Sequence, residues 1–176
     1  MNVNRKNETK KLVFSALIAA LVFVSTAFIQ IPMGFGYVHA GDAMVLLAAA
    51  FLSPWYGFFA AALGSCMADL ALGFVAYAPV TFVVKGCMVL VFWAITKSSE
   101  NRKRPLVRQI VAAVAAELLM VLGYFVFEGF LYGFVAAAPS ILFNAGQGAV
   151  GAALGLILVR VLKQARFEEF WSTFQK

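Results

Sequence analysis

The chain has 176 residues, of which 63% are hydrophobic and only 12% charged. Soluble domains carry about twice that share of charge, so this length holds five or six spans of ~20 apolar residues each. It leaves no sizeable soluble domain and no room for a nucleotide-binding module.

The net charge of +6 speaks to topology rather than to nucleic acid, because 13 of the 14 cations fall in three short segments. The first holds Arg5, Lys6, Lys10 and Lys11. The second holds Lys97, Arg102, Lys103, Arg104 and Arg108. The third holds Arg160, Lys163, Arg166 and Lys176. Lys85 alone lies inside an apolar run.

In chain order, the first predicted span is about 12–31, too long and apolar for a signal-peptide core and therefore read as retained. Pro32 and Gly34 end it. The stretch from Gly34 to Gly41 is read as an outer loop. The second span, 42–53, is short and stops at Ser53-Pro54, since proline cannot continue a helix. The third runs over 55–73, the fourth over 79–97, the fifth over 107–131 and the sixth over 137–162. An amphipathic tail, Arg166 to Lys176, is read as an interfacial anchor. Six spans put both termini and the 97–108 loop on one face, which the positive-inside rule makes cytoplasmic. Five spans would split them. The expected fold is therefore all-α: a single six-helix transmembrane domain over residues 1–176.

Polar groups inside spans are costly and rarely face lipid. Lys85, Glu128, Asn144 and Gln147 all fall in the outer half of their spans, as do Asp42 and Asp69. That asymmetry predicts a cavity open to the outside, walled by Tyr37, Phe74, Tyr77, Tyr124 and Tyr132. Each also has a plainer reading. Asp42 is expected to cap its helix, Asp69 and Lys85 to form an ion pair or line the pocket, and Tyr37, Tyr77 and Tyr132 to belong to an interfacial belt. His39 is expected at the surface of the outer loop, and Glu117, at mid-membrane depth, has no assigned role. Asn144 and Gln147 share one helical face and point to a ligand.

Small residues recur at helical spacing as Ala16/Ala20, Gly129/Gly133 and Gly151/Gly155, a pattern that lets helices approach closely in lipid. Internal packing is expected for the last pair, and a partner protein for the first. Cys66 and Cys87 lack CxxC spacing and read as buried thiols. No metal site and no catalytic constellation is expected.

The run Gly41-Asp42-Ala43, Ser53-Pro54-Trp55-Tyr56-Gly57, Gly64, Asp69-Leu70, Gly73, Tyr77-Ala78-Pro79 and Lys85-Gly86 resembles the substrate-binding S components of energy-coupling factor (ECF) vitamin transporters. The nearest group is the riboflavin, hydroxymethylpyrimidine and pyridoxine type. The resemblance extends over essentially the whole chain. It implies a subunit of a prokaryotic plasma membrane that captures a vitamin from outside, while a transmembrane scaffold and two cytoplasmic ATPases supply the drive. It implies scaffold contact through Ala16 and Ala20, and substrate contact through Tyr37, His39, Lys85, Glu128, Asn144 and Gln147. It implies no cofactor on this chain, ATP being used by the partners. The sequence agrees in lacking a GxxxxGK[ST] phosphate loop. Two charge signs plus amides favour a B6 vitamer or hydroxymethylpyrimidine, with riboflavin next. The alternatives are a self-sufficient facilitator or channel, a membrane enzyme, and a structural subunit that binds no ligand.

Overall fold

The computed structural model describes residues 3–33, 36–97 and 105–165. Arg102–Arg104 and the tail from Arg166 to Lys176 lie outside the described residues. Six helices follow in order: α1 (Val3–Ala27), α2 (Gly41–Phe51), α3 (Pro54–Ala71), α4 (Ala78–Lys97), α5 (Pro105–Tyr132) and α6 (Phe134–Gln164). Between α1 and α2 stands an antiparallel hairpin, β1 (Gln30–Met33) and β2 (Gly36–His39). Glu8–Ala27, Ala78–Lys97, Leu106–Tyr132 and Phe134–Gln164 are long and apolar enough to cross a bilayer.

The hairpin is the main departure from expectation. The first helix ends at Ala27 rather than near residue 31, and the chain then extends, with Gln30 opposite His39 and Pro32 opposite Tyr37. Ile29, Ile31 and Val38 are β-branched, and Pro32 cannot continue a helix. Apolar composition alone does not separate such a strand from the end of a span.

The α2 helix has 11 residues, ~16 Å at 1.5 Å per residue, about half of a bilayer core. It ends at Leu52, and Pro54 opens α3 at a position where a missing N–H costs nothing. Tyr56, in the first turn of α3, donates to Glu8 Oε2 of α1 at 2.7 Å, and Lys11 pairs with Glu8 at 2.9 Å. Arg108 of α5 donates to the Thr96 carbonyl of α4 at 3.1 Å. These contacts tie the starts of α1 and α3, and the end of α4 to the start of α5.

The core lies where α2 is enclosed by α1, α3, α4 and α6. Val45, Leu46, Ala48, Val89, Met88, Phe92 and Met120 are buried there. Glycines set the close approaches. Gly64 lets α3 lie against Val22 of α1, and Gly155 lets α6 lie against Ala43 and Leu46 of α2. Gly151/Gly155 is thus an internal packing pair. Gly129/Gly133 is not a helix–helix face: Gly133 adopts φ 90° and is the single residue between α5 and α6, a conformation that favours glycine.

Candidate functional site

Lys85 and Asp42 sit at 0% exposure and form an ion pair, Nζ to Oδ1. Lys85 lies 12 residues, ~18 Å of helix, from Lys97 at the end of α4, so the pair sits well inside the apolar helix. Sequence reasoning placed Asp42 at the outer face as a helix cap. The structure corrects the role: the α2 N-terminus carries no side-chain cap, and the Asp42 carboxylate serves Lys85 and Gln147. The Lys85 partner is likewise Asp42, not Asp69, which is buried on α3.

Two further contacts complete the cluster. Gln147 Nε2 donates to Asp42 Oδ2 at 2.7 Å, and Gln147 Oε1 accepts from the His39 backbone N–H at 3.2 Å. The Lys85 ammonium also stands 5.7 Å from the centre of the Tyr124 ring, within cation–π range. A buried ion pair recovers its desolvation cost only when its remaining valences are satisfied, and here an amide and an aromatic face help to do so.

Glycine makes the cluster possible. A Cβ on Gly151 would stand 2.6 Å from Asp42 Cβ and 3.3 Å from Glu117 Oε1. Glu117, 6% exposed, therefore reaches the same point of α6 from α5, and neither of its carboxyl oxygens has a hydrogen-bond partner among the described residues. A mid-span carboxyl was legible in sequence; its convergence with Asp42 and Lys85 was not.

Outward of this cluster the groups are mostly aromatic. Tyr77 donates to Glu128 Oε1 at 3.2 Å, and its ring packs edge-on against Phe127 at 5.3 Å and Phe74 at 6.3 Å. Thr81 and Tyr124 share a hydrogen bond of 2.9 Å. Asn144 is half-buried, with no hydrogen-bond partner among the described residues. Tyr132 is exposed, as a belt residue would be. Tyr37 is in β2, with its side chain outside the described part. His39 is half-buried rather than at the surface, and its Nδ1 accepts from the Gly41 N–H at 3.0 Å.

Of the six residues predicted to contact substrate, the structure joins Lys85 and Gln147 through Asp42, and His39 through Gln147. It leaves Glu128 near the end of α5, and Asn144 ten residues into α6, just short of Gln147. Tyr77, Thr81 and Tyr124 join that outer group, with Tyr77 and Tyr124 foreseen only as walls. On α1, Ala16 and Ala20 are exposed beside Leu12, Val13, Leu17, Leu21 and Val24, while Ser15, Ile18 and Val22 face the bundle. Among the described residues, no three His, Cys, Asp or Glu side chains are grouped to hold a metal.

Residues 6–164 match the family described as the ECF-type riboflavin transporter, S component. The chain belongs to that family. It is a substrate-binding subunit of an ECF vitamin transporter, and the family is one of transport proteins, not enzymes. A Pyrococcus woesei protein, described as an uncharacterized protein in gap 3'region, is 31% identical over 145 residues, covering 81% of this chain and 95% of that protein. Two solved structures share the S-component fold. The S component of a bacterial ECF transporter superposes with a TM-score of 0.73 at 24% identity, over 89% of this chain and 97% of that one. The S component for biotin from an ECF-type ABC transporter gives 0.61 at 18% identity, over 93% and 95%.

Proposed function

We propose that this S component captures riboflavin, or a closely related neutral heteroaromatic with a hydroxylated chain, from the outer side of the membrane. The observation that carries this reading is the closed Asp42–Lys85–Gln147 cluster. The case for a B6 vitamer or hydroxymethylpyrimidine rested on Lys85 and Gln147 being available to a ligand alongside Glu128. With the ammonium held by Asp42 and both ends of the Gln147 amide engaged, the groups left outward are Tyr77, Tyr124, Phe127, Glu128 and Asn144. Flat rings plus a few hydrogen-bonding groups suit a large neutral ring system. In this reading Asn144 and Glu128 bond the ligand, the tyrosines flank it, and the hairpin bearing Tyr37 and His39 covers it.

Delivery requires the scaffold and two ATPase subunits, with α1 docking through its Ala16/Ala20 face. Both termini are cytoplasmic in this reading, on the strength of the three basic segments. Titrating the detergent-purified chain with riboflavin, pyridoxine and hydroxymethylpyrimidine tests the assignment, read as quenching of flavin fluorescence and by calorimetry. Tight binding of riboflavin alone is expected. Tight pyridoxine or hydroxymethylpyrimidine binding with none of riboflavin would overturn it. Asn144→Leu and Glu128→Leu should each weaken riboflavin binding roughly tenfold, since each removes a bond to a buried ligand.

A further inference from the structure

The Gln147 amide has a forced orientation. Asp42, paired with Lys85, is a carboxylate that can only accept hydrogen bonds, so the Gln147 NH2 must face it. The His39 backbone N–H can only donate, so the Gln147 carbonyl oxygen must face the hairpin. Turning the amide over would set oxygen against carboxylate and NH2 against N–H, losing both bonds at once. A side chain that tolerates one orientation out of two links the groups on either side of it.

We propose that Gln147 is the positioning residue of the outer hairpin, its amide aligned by the buried Asp42–Lys85 pair so that the pair bears on β2 through it. The pair lies on α2 and α4, Gln147 on α6, and the fixed element is β2. The chain of contacts therefore runs Lys85, Asp42, Gln147, His39. Close packing supports the relay: Gly151, one turn along α6, brings that helix within reach of Asp42 Cβ, and Gln147 is itself buried. Resting on the proposed function, this makes the ion pair a control on how readily the hairpin admits and releases substrate, through a residue that need not contact it.

Hydrogen–deuterium exchange of the ligand-free, detergent-purified chain tests the relay, with α3 and α4 peptides as internal reference. Gln147→Leu should raise exchange in the peptide carrying β2 by roughly 5–30-fold, the loss of one to two ordinary hydrogen bonds. The paired variant Asp42→Asn with Lys85→Met removes both buried charges together, which spares the fold an unpaired ion. A neutral amide in place of the Asp42 carboxylate can offer either oxygen or NH2, which leaves the alignment of Gln147 to the His39 N–H alone, so β2 exchange should rise, by less than in Gln147→Leu. Unchanged β2 exchange in Gln147→Leu would overturn the positioning role. A rise there with wild-type exchange in the paired variant would overturn the link to the ion pair. In the same variants riboflavin should dissociate faster. Failure of riboflavin to bind at all would count against the proposed ligand and leave the exchange result standing.

Discussion

Lys85 keeps a full charge inside an apolar helix because its field ends on the Asp42 carboxylate and the Tyr124 ring. Removing it alone strands a carboxylate in the core. Lys85→Met should therefore cost about 3–5 kcal/mol, seen as a lower melting midpoint in detergent. His39 carries a second, pH-dependent term. Burial pushes its imidazole down to about 4, with Asp42 opposing the shift and Lys85 adding to it. Opening the hairpin returns the ring toward its ordinary value of about 6.5, so opening takes up a proton below that pH. The closed hairpin is then fully favoured above about 6.5 and loses ground as pH falls toward 4. Substrate release should accelerate between pH 7 and pH 5, measured by stopped-flow fluorescence, and His39→Asn should flatten that dependence. The depth of Lys85 was legible because a lone cation in an apolar run can be counted along the helix. Its partner was not, because hydropathy says nothing about which helix stands opposite.

The positions of α3 to α6 were readable from length, proline placement and basic flanks, and the observed ends fall within a few residues of the expected ones. The region between Ala27 and Gly41 was not, since strand and span ends share the same apolar, β-branched residues. The Gly129/Gly133 spacing misled for a related reason: a helical repeat on paper is broken once Gly133 takes a positive φ. Gly151 is the opposite case, a glycine whose spacing did predict packing. Gly151→Ala would drive a methyl into Asp42 and toward Glu117. Overpacking of this kind costs about 1–3 kcal/mol, and here it should also separate α2 from α6 and weaken riboflavin binding. Retained stability and affinity would mean that α6 has room to shift.

The molecule presents two faces of different chemistry. The bundle interior and outer ends hold the polar groups, whereas the outward stripe of α1 is small and apolar, with Ala16 and Ala20 flanked by Leu12, Leu17 and Val24. Bulk added there touches nothing inside. Ala16→Trp should leave vitamin binding by the isolated chain unchanged and abolish uptake in cells that carry the scaffold and ATPases. Loss of binding instead would place that stripe within the folded core.

The short α2 helix has an electrical consequence. Thr26, near the end of α1, meets Gly41 at the start of α2, so on this side both helices stop at the level of the ion pair and the hairpin takes over. Strand edges cannot be left to hydrocarbon, so protein must cover them or water must reach them. A membrane potential falls across the insulating layer alone. If water reaches them, substrate entering past the hairpin travels through little of the voltage drop, and capture should proceed equally well in energised and depolarised vesicles.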